Sequence, residues 1–283
     1  MSSVTTLTDH TERHERAIRS IRRAPALIAG AATFVVLGLV VLVVGAPWWC
    51  LLVAVIVAAA CGWAVFVRTV GSIDQTVDHA MGGVEASDES HPRLMNLVEG
   101  LSSTAGVDEP QVRVIEDHAA NLAAWGTPDD GHILVTSGLL EVLDRIELEA
   151  VVAVALMRIR SRDAELGATG AAVLCAPGLK ADGDPSGGLL MHQRVNWWLA
   201  KLVSQRDFVS DFSGIGLTRY PPALASALEA IEHRGSAVSQ LRQASIPLWL
   251  ANPIGDRALA VPFQAMGTIF EPIAHRSMLM HEL

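Results

Sequence analysis

The 283-residue sequence is poor in cysteine, and no two of its cysteines form a CxxC pair. The three present, Cys50, Cys61 and Cys175, are odd in number and widely spaced, and two of them lie in apolar stretches. Disulfide frameworks and cysteine metal sites need several cysteines at short, regular spacings. The sequence therefore predicts neither, and it fits a reducing compartment.

Positive charge is also scarce. The formal net charge at pH 7 is −9, although residues 1–23 contain five arginines against three acidic residues and so contribute +2. The rest of the chain must then carry −11. Binding to a phosphate backbone requires clustered lysines and arginines. We therefore expect no nucleic-acid partner.

Charge is missing altogether from two long apolar stretches, which run from Ala24 to Val44 and from about Trp48 to Val67. Each is close to the ~20 residues that a helix needs to cross about 30 Å of hydrocarbon. Gly45-Ala46-Pro47 lies between them and predicts a tight turn. A buried core helix of this length without any charge or polar face is rare. These features predict a transmembrane helical hairpin over residues 24–67.

Arginines lie at the two outer ends of the hairpin and are absent from the turn between its helices. Five precede the first span and Arg68 directly follows the second, whereas the turn carries no charge. The positive-inside rule then places both chain ends in the cytoplasm, in a cell (plasma or inner) membrane. A cleaved signal peptide has a shorter apolar region and is not followed by a second full span. We assign residues 1–23 to a polar, partly helical or disordered cytoplasmic tail and residues 68–90 to a connector.

The remaining residues, 91–283, are predicted to form one domain. A helix should begin near His91-Pro92, because proline suits the first turn of a helix. Alternating apolar residues predict strands at Gln111–Ile115 and His132–Thr136. A turn-rich segment, residues 127–131, directly precedes the second strand.

Helices dominate the rest of this domain. Asp144, with Glu147 three residues later, has the pattern of a capping box and predicts a helix that runs to about Leu166. Residues 177–188 are rich in Pro and Gly and predict a loop, which a long helix from about Leu189 to Leu217 should follow. The expected fold class is α+β and mostly helical, with a membrane hairpin followed by a domain that contains a small β-sheet.

Several segments follow the predicted hairpin in a recognisable order. They are Ile-Leu-Val-Thr-Ser-Gly-Leu-Leu at 133–140, Glu-Leu-Glu-Ala-Val-Val-Ala at 147–153, residues 204–211, residues 217–228, residues 248–253, and Pro272-Ile273 with Arg276. In this order behind a two-span hairpin, they resemble the HtpX-like zinc metallopeptidases, and the match extends over about residues 91–280. The resemblance implies a gluzincin-like metallopeptidase domain.

The catalytic centre of that family does not carry over. When the sequences are aligned on the Glu-Leu-Glu-Ala-Val run, the first His of HExxH falls on Val154, the catalytic Glu on Ala155 and the second His on Arg158. Two His at i and i+4 bind the metal from one helix face, and the Glu takes a proton from metal-bound water. Val154 and Ala155 have no such groups, and Arg158 is a permanent cation. The third ligand falls on Asp207, one methylene shorter than the family's Glu.

Other family positions are retained. Asn121, Asp163, Asp211 and Arg276 match positions that are not metal ligands, and we expect them to maintain the scaffold. The family's Asn-Ala-x-Ala edge segment is altered at its second residue here, so an altered substrate edge is expected. A relocated metal site that used His118, just before this segment, would still lack a general base at position 155.

We predict a direct ion pair between Arg158 and Asp207, in the place where the family's metal would join two helices. The alternative is that Arg158 is a solvated helix residue beside Arg160 and Arg162. No cofactor is expected on this interpretation.

The leading functional hypothesis is a catalytically inactive, membrane-anchored pseudopeptidase that binds, scaffolds or regulates a membrane protein or complex. The alternative is a zinc-dependent membrane metalloendopeptidase with unconventional ligands, and in that case zinc would be the cofactor. A third possibility is a structural subunit of a larger membrane complex. The expected partners are the lipid bilayer and a membrane protein that the sequence does not identify.

Overall fold

The computed structural model describes residues 2–45, 47–175, 179, 188–202 and 206–283. It combines a long helical hairpin with a mostly helical domain built around one four-stranded sheet. This agrees with the α+β, mostly helical fold class that the sequence predicts. The loop predicted over residues 177–188 lies outside the described residues, except at Leu179 and Gly188.

The helices and strands have the following bounds. The helices are α1 (Ser2–Val44), α2 (Trp49–Gly71), α3 (Ile73–Met81), α4 (Pro92–Ala105), α5 (Ser137–Val142), α6 (Arg145–Arg160), α7 (Asp163–Thr169), α8 (Gly188–Leu199), α9 (Arg206–Thr218), α10 (Pro221–Arg234) and α11 (Ile273–His281). The strands are β1 (Val84–Glu85), β2 (Gln111–Ile115), β3 (Leu122–Thr127) and β4 (Asp130–Thr136). The described residues also include a π-helical turn at Gly170–Leu174 and 3₁₀ segments at Gln243–Leu248 and Val261–Thr268.

Helices α1 and α2 form the predicted hairpin. Both are long and apolar enough to cross a membrane. Their backbones lie close together at two glycines: a Cβ atom on Gly62 would lie 3.0 Å from the carbonyl oxygen of Ala26, and one on Gly30 would lie 3.3 Å from that of Ala58. Small residues allow this approach, as they do in other membrane helix pairs. Many large apolar side chains of the pair, such as Leu42 and Ile56, are exposed, as a lipid-facing surface requires.

The tail before the hairpin is helical and packs on the domain. Helix α1 runs through it into the apolar stretch, and its Ile18 and Ile21 are buried. His14 Nδ1 lies 2.8 Å from the carbonyl oxygen of Ser161, and Arg22 donates to Glu165 at 2.9 Å. The sequence interpretation as a polar lead-in did not anticipate this packing.

The sheet has the order β1-β2-β4-β3. Strand β2 runs parallel to β4, and the two outer strands are antiparallel to their neighbours. Both predicted strands are present; β2 has the predicted bounds, whereas β4 begins two residues earlier because a tight turn joins it to β3. Near the end of β3, just before that turn, Gly126 has a φ of 92°, and an added Cβ would lie only 2.3 Å from the carbonyl oxygen of Asp130. Glycine is therefore required there.

Helix α6 forms the centre of the domain. Asp144 and Glu147 make the predicted capping box. The helix ends at Arg160 rather than at Leu166, because Arg162 adopts a left-handed conformation with a φ of 60° and α7 starts after it. The long helix expected from 189 to 217 is described as α8 and α9, and residues 203–205 between them lie outside the described part of the chain.

Candidate functional site

The family's ligand positions lie in the interior of the domain. Every residue of α6 from Ala150 to Ile159 is buried, and both Val154 and Ala155 are completely inaccessible to solvent. Helix α6 packs against β3, α4, α9 and α10. The aligned HExxH positions thus face protein atoms rather than an open cleft.

Helix α9 touches α6 where the first ligand of the family would stand. A Cβ atom on Gly214 would lie 2.6 Å from Cγ2 of Val154 and 2.9 Å from the backbone nitrogen of the same residue. Cβ atoms in proteins essentially never lie this close to another heavy atom, and the backbone of Val154, unlike a flexible side chain, cannot rotate away. Val154 and Gly214 together therefore fill the space between the two helices.

Arg158 is buried and fully engaged. Its side chain is 2% exposed, and its Nε donates to Asp163 Oδ2 at 3.0 Å. Its two terminal nitrogens donate to the carbonyl oxygens of Trp249 at 2.9 Å and Pro247 at 2.8 Å. Both sequence interpretations of Arg158 are corrected by these contacts. It pairs with Asp163 instead of Asp207, and it is not a solvated helix residue.

Asp163 reaches Arg158 because the helix is interrupted between them. In an unbroken helix, residues five apart do not share a face. The left-handed Arg162 turns the chain, so that Asp163, the first residue of α7, lies beside the last turn of α6. The sequence prediction assumed a continuous helix to Leu166 and could not foresee this pairing.

A second arginine binds the same carboxylate. Arg206 Nε lies 2.7 Å from both oxygens of Asp163, and its Nη2 donates to the carbonyl oxygen of Pro247 at 2.5 Å. Sequence reasoning missed Arg206. Its only sequence signal is its position immediately before the aligned third-ligand position, Asp207.

Asp207 makes a different contact. Its carboxylate is buried and Oδ2 accepts a hydrogen bond from the backbone N–H of Glu271 at 3.0 Å. One helical turn later, Asp211 forms a two-point ion pair with Arg276, at 2.7 and 2.8 Å. Burial alone lowers the pKa of Arg276, but the charge and hydrogen bonds of Asp211 outweigh it and hold the pKa above its usual range. Arg276 therefore stays charged. Burial raises the pKa of Asp211, and the charge and hydrogen bonds of Arg276 offset this rise only in part.

These side chains form a network of buried charges, which we call the charge network. It consists of Arg158, Asp163, Arg206, Asp207, Asp211 and Arg276, each no more than 5% exposed. Three positive and three negative groups make it formally neutral. A balanced set of this kind avoids the large cost of an unpaired buried charge.

The donor set does not fit the zinc that the family resemblance implies. The side chains of Val154 and Ala155 offer no lone pair, and Arg158 presents a cation, each of whose three nitrogens donates a hydrogen bond. Asp207 is the only carboxylate at the aligned ligand positions. Zinc sites require neutral or anionic N, S or O ligands arranged as a tetrahedron. Across the described residues, no group of three or more His, Cys, Asp or Glu side chains is placed to hold a metal ion.

The outer edge of β3 is covered by the chain itself. Leu250 donates its backbone N–H to the carbonyl oxygen of Leu122 at 2.8 Å, and Trp249 pairs with Ala123 as an antiparallel bridge. Asn121 reinforces this contact, because its side-chain amide donates to Ala251 O at 3.0 Å and accepts from Ala251 N at 3.2 Å. We call residues 247–251 the covering segment.

Arg158 and Arg206 hold one end of the covering segment through Pro247 and Trp249. Arg276 holds the other end, with a hydrogen bond from Nη1 to the carbonyl oxygen of Leu250 at 2.9 Å. His118 takes no part in this arrangement. It is exposed, and its Nδ1 lies 3.0 Å from Nη2 of Arg234.

Comparison with known proteins identifies relatives along most of the chain. A protein named Protease HtpX homolog from Dictyoglomus turgidum is 32% identical over 218 residues, which is 69% of this chain and 72% of the relative. The chain belongs to the HtpX family. A second relative of that name, from Listeria innocua, is 28% identical over 268 residues, 79% of this chain and 88% of the relative. No family model and no solved structure matches the chain.

Membership of the HtpX family agrees with the resemblance found in the sequence. Together with the two long apolar helices, it makes this chain a membrane protein of a peptidase-like family. The chain contains no His-Glu-x-x-His sequence.

Proposed function

We propose that this protein is a catalytically inactive HtpX-family member that acts by binding, scaffolding or regulating another membrane protein or complex. The proposal depends chiefly on one observation: the buried guanidinium of Arg158 occupies the aligned second-ligand position and is bound to Asp163 and two backbone carbonyls. A metal ion there would have to displace a permanent cation from three satisfied contacts.

The lack of a general base supports the same proposal. In an HExxH enzyme the glutamate next to the metal accepts a proton from bound water. Ala155 has no titratable group at that position and is completely buried. This residue therefore offers no proton acceptor and no contact with solvent.

Coverage of β3 is a third, independent argument. Extended peptides commonly bind by adding a strand to a free sheet edge. At β3 the backbone groups of Leu122 and Ala123 are already paired with the covering segment. A substrate strand could pair there only after this segment had moved and had broken its bonds to three buried arginines.

The alternative is a zinc-dependent membrane metalloendopeptidase with unconventional ligands. One observation favours it, namely that the curated relatives are named proteases. Asp207 is the aligned ligand position that retains a carboxylate, so such an enzyme would be expected to use it.

Metal content and proteolysis of the full-length chain, purified in a mild detergent, distinguish the two functions. We expect less than one zinc ion per chain. We also expect no casein cleavage of the kind that a chelator would block. Stoichiometric zinc, or chelator-sensitive cleavage that is lost in Asp207→Ala, would overturn the proposal and support the alternative. The partner itself should be sought by affinity isolation from native membranes, which also addresses the third possibility, a structural subunit of a larger complex.

We further propose that both chain ends are cytoplasmic and that residues 91–283 form the working domain. The arginines before Ala24 and at Arg68 favour this orientation through the positive-inside rule. Contact between Arg22 and Glu165 supports it as well, since the tail and the domain must then lie on the same side of the membrane. Protease protection of a tag at each end of the chain, in sealed vesicles, tests it.

A further inference from the structure

One face of the hairpin contains a groove of about 820 Å³, lined by twelve residues of α1 and α2. We call it the hairpin groove. Small residues such as Gly30, Ala59 and Gly62 give it depth, and Phe34 and Trp63 are among its bulky side chains. Eleven of its twelve lining residues are apolar. In a membrane, such a surface faces hydrocarbon and not water.

The exception is Arg23, which lines the groove at the residue before the apolar stretch begins. Its neighbours on α1 are engaged elsewhere: Arg19 pairs with Glu15 at 3.3 Å, and Arg22 with Glu165 at 2.9 Å. Arg23 is exposed, and it forms no ion pair with any residue that the structure describes. A cation at this depth lies at the level of lipid headgroups.

We propose that the hairpin groove binds an anionic phospholipid, with an acyl chain in the groove and the phosphate at Arg23. The apolar lining suits a hydrocarbon chain, because it offers no polar side chain other than Arg23. A guanidinium matches a phosphate by donating two parallel hydrogen bonds. Charge complementarity at one end and apolar contact along the rest thus select a phospholipid over a polypeptide helix.

This inference is independent of whether the domain is catalytic. It requires only that α1 and α2 span the membrane, which their length, apolar character and exposed side chains support. Arg68 provides a matched control. It is also an exposed arginine at the end of an apolar stretch, but it does not line the groove.

Trp63 allows the test to be made at the site, because it lines the groove and is 69% exposed. The full-length chain is placed in nanodiscs that contain phosphatidylglycerol or phosphatidylcholine with brominated acyl chains. Bromine quenches tryptophan fluorescence on contact. The difference in quenching between the unmodified chain and Trp63→Phe then reports lipid at Trp63, and so in the groove. We expect preferential quenching by the anionic lipid, and an Arg23→Gln variant should reduce that preference about fivefold, the effect typical of one basic residue near an anionic surface.

Arg68→Gln should leave the preference at Trp63 largely intact, and Ala59→Leu, which fills part of the groove, should lower quenching by both lipids. The proposal is overturned if both arginine variants lower the preference equally, or if Ala59→Leu changes nothing. It is also overturned if Trp63 is shielded from both lipids and Ala59→Cys crosslinks two copies of a chain that also carries Cys50→Ser and Cys61→Ser. A second copy would then occupy the groove.

Discussion

Arg158 donates a hydrogen bond from Nε to the carboxylate of Asp163 at 3.0 Å, across the turn that separates α6 from α7. The same carboxylate binds Arg206, so Asp163 joins the end of α6 to the start of α9. Both arginines also donate to the carbonyl oxygen of Pro247. Three helices (α6, α7 and α9) and the covering segment are thus tied together at the place where the family resemblance would put a metal.

Removing Arg158 should destabilise the protein strongly. An Arg158→Ala variant leaves the carbonyl oxygens of Pro247 and Trp249 without their donor and takes one of two cations from Asp163. Loss of one partner of a buried ion pair typically costs about 3–5 kcal/mol. The free energy of unfolding of the full chain in detergent, followed by tryptophan fluorescence during denaturation, measures this cost.

Arg145→Ala is the matched control, because Arg145 lies on the same helix but is exposed. Its effect should be within about 0.5 kcal/mol, as for most surface substitutions. Equal stability of the two variants would contradict the arrangement described for Arg158.

Asp163 should matter more than Asp207. An Asp163→Asn variant removes the negative charge that two buried guanidinium groups share, and we expect a loss of about 3 kcal/mol or more. Asp207→Asn mainly weakens one hydrogen bond from the backbone of Glu271, which is worth about 1–3 kcal/mol. Denaturation of the two variants in parallel measures both losses. If Arg158 were paired with Asp207 instead, Asp207→Asn would lose more stability than Asp163→Asn.

The sequence predicted the parts of the fold that local chemistry determines. Strand β2 alternates in burial as its residues alternate in polarity, and Asp144 with Glu147 marks the start of α6. The hairpin follows from length and charge alone. Strand β3 was not predicted from pattern, because its first five residues are all buried and it therefore shows no alternation.

The errors at the candidate site arise from long-range geometry. The left-handed backbone of Arg162 cannot be inferred from its residue type, and it turns the chain so that Asp163 lies beside Arg158. The sequence also did not predict that the N-terminal tail packs on the domain. His14, Ile18 and Ile21 are spaced to share one face of a helix, but only the folded structure shows that α7 covers that face.

A methyl group on Gly214 should be poorly tolerated. In Gly214→Ala the new Cβ would lie within 3.0 Å of three atoms of Val154, two of which are backbone atoms that cannot move aside. We expect a loss of about 1–3 kcal/mol, typical of overpacked cores. Gly216→Ala on the same helix is the control, because nothing lies within 4 Å of its Cβ position. The control should be neutral or gain up to about 1 kcal/mol from helix propensity. Denaturation curves measure both variants, and equal losses of stability would argue against direct contact between α6 and α9.

The contact between the tail and the domain should respond to pH through Glu165. Burial raises the pKa of this carboxyl group, and the charges of Arg22 and Arg162 lower it only in part. The folded chain therefore holds the proton more tightly than the unfolded chain does. The stability that this proton contributes is full below the ordinary glutamate pKa of about 4.3 and is lost as the pH rises through the raised value.

Glu165→Gln keeps a neutral group at the same place at every pH. We expect the melting temperature of the variant, relative to that of the unmodified chain, to increase as the pH rises from about 4 to about 7, because only the unmodified chain must ionise a buried group. Glu12→Gln removes a carboxylate from α1 whose side chain is 73% exposed, and it should leave this difference constant. Parallel melting profiles for Glu165→Gln and the unmodified chain would mean that burial between α1 and α7 does not raise the pKa of Glu165.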